Sequence, residues 1–364
     1  MANAPRVLHL LARWPDYQSQ TAVSQLTRGS ASDARILTVG HGGDFANPWI
    51  GAVRMRQMKD PFDLIHAWGM DALTAAVLGS NRPVVFSPSR FPTASDLRWQ
   101  RAIIGVRDVQ LICSTDTMRR FYVERGVPIE RCHLIRPGVE FSRVNRRRND
   151  ALRLKLGFGP EAFVLLACGE HVRGANHNAT ILCATTLNLY NPKYKILLWG
   201  RGDLDRLTRR FASLMLPRNF IRFASDRLGK QVMFEDLLPA ADAMLITADG
   251  PLPTLPIAVA MAAGLPMVAV VSTTVSELLE DRHTAFMLKE TRGRLLARRL
   301  LDLEDHNEER WKMSDTARTE AFEYFSMTRF INQMNAVYEQ VAQGKLVQVP
   351  QPAPGAGARF LGRA

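Results

Sequence analysis

Cysteine is scarce in this chain: Cys113, Cys132, Cys168 and Cys183 are the only four in 364 residues, and no two have CxxC spacing. Each sits in or beside an apolar run. That excludes a disulfide framework or a thiolate metal site and points to buried, reduced thiols in a cytoplasmic setting. Long apolar runs are missing too. No stretch approaches the roughly 18 consecutive apolar residues that span a bilayer. The opening MANAPRVLHLLARWPD has too short an apolar run for a secretory signal, and Arg6 leads directly into a strand. No internal repeat is evident.

Acidic residues are the third shortage. Lys and Arg outnumber Asp and Glu by 47 to 35, for a formal net charge of +12. A nucleic-acid binder concentrates such charge in a stripe, often with interleaved aromatics. Here it is spread over helical segments, as at Arg119 and Arg120, Arg209 and Arg210, Arg298 and Arg299. Nucleic acid is therefore not an expected partner. One dense cluster, Arg143 with Arg146, Arg147 and Arg148, reads as a solvated linker. The alternative is a surface that attracts phosphates or meets an anionic membrane peripherally.

What the chain does have is alternation. Apolar runs at Arg6–Leu11, Arg35–Val39, Leu64–Ala67, Val84–Phe86, Leu111–Cys113 and His133–Ile135 alternate with amphipathic segments such as Ala22–Arg28, Asp71–Gly79 and Thr117–Arg125. The scheme repeats, with strands expected at Phe163–Cys168, Tyr194–Trp199, Phe220–Phe223, Ala243–Ile246, Met267–Val271 and Ala285–Leu288. Such alternation predicts an α/β chain of two tandem doubly wound, Rossmann-like domains of about 150 residues each. The expected boundaries are 1–140 and 156–325, joined by a basic linker at 141–155. A helix at 326–345 returns to the first domain, and 346–364 forms a Pro- and Gly-rich disordered tail. Doubly wound sheets bind ligands at the carboxyl ends of their strands, which places a site in an interdomain cleft.

Several segments carry a resemblance when taken in order. They are LICS at Leu111–Ser114, VERGVPIERCHLIRPGVE after it, LLWGRGDL at Leu197–Leu204 and DLLPAADAMLIT at Asp236–Thr247. AMAAGLPMV at Ala260–Val268, Ser272–Leu279 followed by HTAFML, and FEYFSMTRFINQMNAVY at Phe322–Tyr338 complete the series. In this order they resemble the GT-B glycosyltransferases of family 4 over most of the chain. The resemblance implies a GT-B fold, a nucleotide sugar as donor substrate without a metal or other cofactor, and a glycan, lipid or small-molecule acceptor.

The family's donor site is only partly present. Its two loop glutamates would fall on Pro251 and Val259, so both carboxylates are absent. Its Arg and Lys phosphate clamp would fall on Glu170 and Ala175, with Arg173 as the stand-in. Its glycine loop is replaced by Trp14-Pro15-Asp16-Tyr17-Gln18-Ser19-Gln20-Thr21 and its active-site His by Ser89, while one His of a paired motif survives as His66. Donor-side candidates are Gly169, Arg173, Gly200, Gly202, Asp249, Ser272, Thr273 and Glu277. On the acceptor side stand His66 and Ser89. No residue is assigned as catalytic. The bland readings stay open beside these: a core His at His66, a tight turn at Gly200 and Gly202, a loop or cap at Asp249, an ordinary first-turn acid at Glu277. Two functions follow: a diverged retaining glycosyltransferase, cytoplasmic or peripheral at the inner membrane face, or an inactive relative that binds or scaffolds in a glycan or envelope pathway.

Overall fold

Short, continuously apolar runs become parallel strands because helices cover both faces of each sheet. A computed structural model describes residues 4–349 apart from 13–15, 30–33, 41–42, 59–61, 218–219, 230 and 251. Trp14, Pro15, Pro251 and most of the expected tail lie outside the described residues. The described chain divides into two compact units, 4–138 with 325–349 and 139–324.

The first unit holds β1 (Val7–Ala12), α1 (Tyr17–Gly29), β2 (Ala34–Val39), α2 (Pro48–Gln57), β3 (Leu64–Trp68), α3 (Met70–Gly79) and β4 (Val84–Ser87). It continues with α4 (Ala94–Val106), β5 (Val109–Cys113), α5 (Asp116–Glu124) and β6 (Cys132–Leu134). Its six strands are parallel in the order β2-β1-β3-β4-β5-β6. The chain changes direction across the sheet between β1 and β3, the switch point.

The second unit opens with α6 (Asp150–Leu156), β7 (Phe163–Ala167), α7 (His177–Tyr190), β8 (Tyr194–Leu198), α8 (Asp205–Met215), β9 (Ile221–Phe223) and α9 (Ala224–Leu228). It closes with β10 (Ala243–Ile246), α10 (Leu255–Ala262), β11 (Met267–Val270), α11 (Thr273–Leu278), β12 (Phe286–Leu288), α12 (Gly293–Asp305) and α13 (Asn307–Tyr324). Its sheet is also parallel, ordered β12-β11-β10-β7-β8-β9, and β7 and β10 flank the switch point. The helix α14 (Met327–Ala342) then packs on α1 and β3 of the first unit.

All four cysteines are buried, and none is in a disulfide. Burial pushes the Cys132 thiol up to about 11 and those of Cys168 and Cys183 higher still, as apolar surroundings disfavour a thiolate. The segment read as a linker is only partly solvated. Arg143, Arg147 and Arg148 are exposed, but Arg146 reaches the carbonyl of Gly264 and lies over the Trp311 ring. Residues 150–156 form α6, capped by Asn149 and ended by Gly157 in the left-handed region.

Candidate functional site

The second unit's switch point gathers several sequence-predicted residues. β7 runs on through Cys168, whose N–H bonds the Leu245 carbonyl at 3.0 Å, and ends at Gly169 with φ +102. A short helical turn over Arg173–Ala175 and the left-handed Asn176 then lead into α7. The loop after β10 meets this turn. Thr247 Oγ1 lies 3.1 Å from the carbonyls of both Ala175 and Asn176, to which it offers its proton. That leaves Thr180, 2.8 Å away, to donate to Thr247. Asn176 Nδ2 donates to Asp249 Oδ2 at 2.8 Å, which ties the two loops at their exposed rim. Asp249 thus helps to hold the β7–α7 turn through one carboxylate oxygen.

Arg173 is exposed, and its guanidinium has no bonded partner among the described residues. The first N–H groups of α7 follow immediately, with no side-chain cap on them. A helix has no internal acceptors for such groups, and its dipole favours an anion there. The two histidines beneath the turn supply no charge. Burial lowers His177 to about 4, and His177 Nε2 donates to the Gly169 carbonyl at 3.1 Å. His171 is also lowered by burial, which outweighs the Asp205 carboxylate 2.7 Å from its Nδ1.

The glycines answer to packing. A Cβ on Gly169 would sit 3.2 Å from Ala175 Cβ and 3.4 Å from Leu252 Cδ2, so this backbone is covered by an apolar side chain. On Gly200 it would sit 2.9 Å from Glu170 Cα, and on Gly202 only 2.3 Å from the His171 carbonyl oxygen. The loops after β7 and β8 are zipped together by His171 N–H to Arg201 O at 3.0 Å and Leu204 N–H to His171 O at 2.9 Å. Gly202→Ala must push backbone apart. The expected cost is about 2–3 kcal/mol of second-unit stability, read as a lowered melting temperature.

The remaining donor-side residues lie one strand over. Ser272 caps α11, its Oγ accepting from Val275 N–H at 3.4 Å, with Thr273 exposed beside it. Glu277 is buried within α11. Val259, at the place of the missing second glutamate, is 1% exposed inside α10. The position is filled by core packing with no room for a charge.

In the first unit His66 is fully buried. Its Nδ1 lies 2.7 Å from the Tyr338 hydroxyl and its Nε2 2.8 Å from Ser87 Oγ. The ring stacks on Trp68 at 3.9 Å, and Trp68 Nε1 donates to His9 Nδ1 at 3.2 Å. Both His66 nitrogens are consumed in tying α14 to the sheet, so the core reading of this residue prevails over substrate contact. Ser89 is half-buried just after β4, near Gly69 at the end of β3.

The β1/β3 switch point shows a feature the motifs did not signal. Asp16 accepts from Ser19 N–H at 3.0 Å and from Ser19 Oγ at 2.7 Å, while its carbonyl accepts from Gln20 N–H at 3.0 Å. Burial raises this carboxyl, against the hydrogen bonds from Ser19 that lower it. A carboxylate therefore caps α1, where a glycine loop would have left backbone N–H groups for a ligand. Asn176 was also missed: an Asn opening a helix is unremarkable until its left-handed backbone and its reach to Asp249 are seen. Among the described residues no cluster of His, Cys, Asp and Glu could hold a metal ion.

No family model and no curated protein sequence matches the chain. Solved structures do. Anabaena HepE, in complex with UDP and glucose, is 17% identical over 91% of this chain and 98% of its own, with a TM-score of 0.75. A glycosyltransferase from Rickettsia africae is 12% identical over 94% and 100%, also at 0.75. Sucrose-phosphate synthase from Thermosynechococcus elongatus is 14% identical over 93% and 100%, at 0.73. The likeness shows the GT-B fold: two parallel six-stranded α/β sheets in one chain.

Proposed function

We propose that this GT-B chain is a diverged retaining glycosyltransferase that moves a sugar from a nucleotide-sugar donor to a glycan, lipid or small-molecule acceptor. The observation that carries the reading is Arg173. It is an exposed guanidinium, without a bonded partner among the described residues, at the β7/β10 switch point beside a helix N-terminus that has no side-chain cap. Sugar transfer breaks the bond from the anomeric carbon to the diphosphate, and the acceptor hydroxyl forms the new bond as it loses its proton. Negative charge then builds on the leaving phosphate. A guanidinium fork and backbone N–H groups stabilise that charge without a metal. Structures of similar fold were solved with UDP and with UDP-glucose, which makes a uridine nucleotide the first donor to try.

The second reading, an inactive nucleotide-binding or scaffold relative, draws on Val259 and His66, one buried apolar side chain and one fully bonded imidazole at family positions. One experiment separates the two. A saturating nucleotide at about 100 times its Kd stabilises the native state by about 2.7 kcal/mol, a rise of several degrees in melting temperature. UDP or GDP, free or as a sugar nucleotide, is expected to give that rise. Arg173→Ala is expected to weaken the nucleotide ten-fold or more, as loss of a charge-assisted phosphate contact costs about 1.5–3 kcal/mol. A flat response to the whole panel sinks the transferase reading. Binding without release of free nucleotide from any donor and acceptor pair selects the inactive relative.

A further inference from the structure

The outer face of α2 has no place in the donor site and is unusual for a surface helix. Trp49, Ile50 and Val53 are 65%, 40% and 56% exposed. The opposite face is locked down. Gly51, Ala52 and Met55 are buried, and a Cβ on Gly79 of α3 would lie 2.8 Å from Ala52 Cα, so the two helices touch backbone to backbone. Asn47 caps the start through Ile50 N–H at 2.9 Å, and Pro48 opens the first turn. The helix is thus a fixed platform rather than a fraying segment.

Its charge layout names the occupant. At roughly 100° per residue, Trp49, Val53 and Ile50 form the outward stripe, with Arg56 on one flank and Arg54 on the other. Arg56 Nε holds the Leu78 carbonyl at 3.0 Å, and Arg54 is exposed with no bonded partner among the described residues. No acidic side chain occurs from Phe45 to Met58. An apolar stripe with cations on both sides suits a helix lying in a headgroup layer. The apolar side chains enter the acyl boundary, the indole sits at the interface, and the arginine stems run outward to lipid phosphates. A protein partner would need acids placed on both sides of a convex ridge.

We propose that α2 is a membrane-docking face that seats the first unit on an anionic lipid surface. Three apolar side chains and two cations give reversible binding that depends on anionic lipid and falls with salt. The proposal is independent of the sugar-transfer reading, since no nucleotide enters its test.

The full chain is sedimented with phosphatidylcholine vesicles, with and without roughly a third phosphatidylglycerol. The native chain is expected to bind the anionic vesicles and to be released by salt. Trp49→Ser with Val53→Ser is expected to lower partitioning ten-fold or more, and Arg54→Gln about five-fold. Both sets of side chains point outward, and unchanged melting curves confirm that each variant folds. Equal binding to neutral and anionic vesicles overturns the proposal, as does binding that neither variant weakens. So does a concentration-dependent dimer that Trp49→Ser dissolves in the absence of lipid, which assigns the face to a second copy.

Discussion

Arg153→Ala is expected to destabilise the second unit by about 3 kcal/mol, read as a drop in its denaturant midpoint with the slope unchanged. Arg153 is 1% exposed, the largest of the fully buried side chains. Its Nε donates to the Ala240 carbonyl at 3.1 Å and its Nη1 to Ala162 at 3.3 Å, while Nη2 pairs with Asp242. Asp242 also accepts from Val164 N–H at 2.7 Å, at the start of β7. One guanidinium thus joins α6 to the N-terminal ends of β7 and β10. Removing it strips two carbonyls and a carboxylate of their donor and leaves a cavity. The Asp242 side chain is 26% exposed, which lets water take over part of the lost pairing and keeps the estimate at the low end of the buried-pair range. Arg153→Met with Asp242→Asn is expected to recover part of the loss, since the unpaired charge goes with the cavity. If the double variant is no better than Arg153→Ala, the loss lies in the guanidinium's hydrogen bonds to Ala240, Ala162 and Asp242 rather than in the cavity or the unpaired charge.

That arginine also marks where the sequence stopped being legible. The strands could be read because buried parallel strands are apolar on both faces and stand out as runs. Arg153 ends a basic stretch, and a charged run ordinarily means a solvated face. Two of its three partners, Ala240 and Asp242, lie far along the chain, and nothing local announces them. α2 escaped for the opposite reason. Its apolar residues fall on both faces, so the period of a one-sided helix is broken. In the site, the motif positions located the β7/β10 loops and Arg173. They could not show that Asp249 is held by Asn176, or that Leu252 covers Gly169. His66 is the sharpest case: its partner Tyr338 is 272 residues away, and only the docking of α14 turns a motif histidine into a structural tie.

The same tie makes the first unit acid-sensitive. His9 and His133 are held at about 4 by burial, and His66 lies well below its ordinary value from burial and from the neighbouring His9. Each is neutral when folded. Neutral His66 accepts a hydrogen bond at one nitrogen and donates at the other, and His133 Nε2 lies 2.9 Å from Gln110 Oε1. Unfolded, all three titrate near 6.5. Below that pH the unfolded chain binds protons the native unit refuses, so stability falls as pH falls. Three groups at about 1.4 kcal/mol per pH unit give a slope of ~4 kcal/mol per pH unit, from near 6.5 down to the folded values. Asp16 runs the other way. Its folded value is raised, so it costs stability at neutral pH and returns some only in the carboxylate range. At that slope a domain in the middle of the ordinary range, roughly 6–10 kcal/mol, is exhausted after about 1.5–2.5 pH units. The first unit is therefore expected to be stable above about pH 7 and to unfold cooperatively between about pH 5 and 4, followed by near-ultraviolet circular dichroism. His66→Asn is expected to be less stable than the native chain at pH 8, having lost one of two hydrogen bonds, yet to show a slope about one-third shallower. A slope that His66→Asn leaves unchanged means that His66 is already protonated in the fold, and the neutral network joining Ser87, His66 and Tyr338 would have to be abandoned.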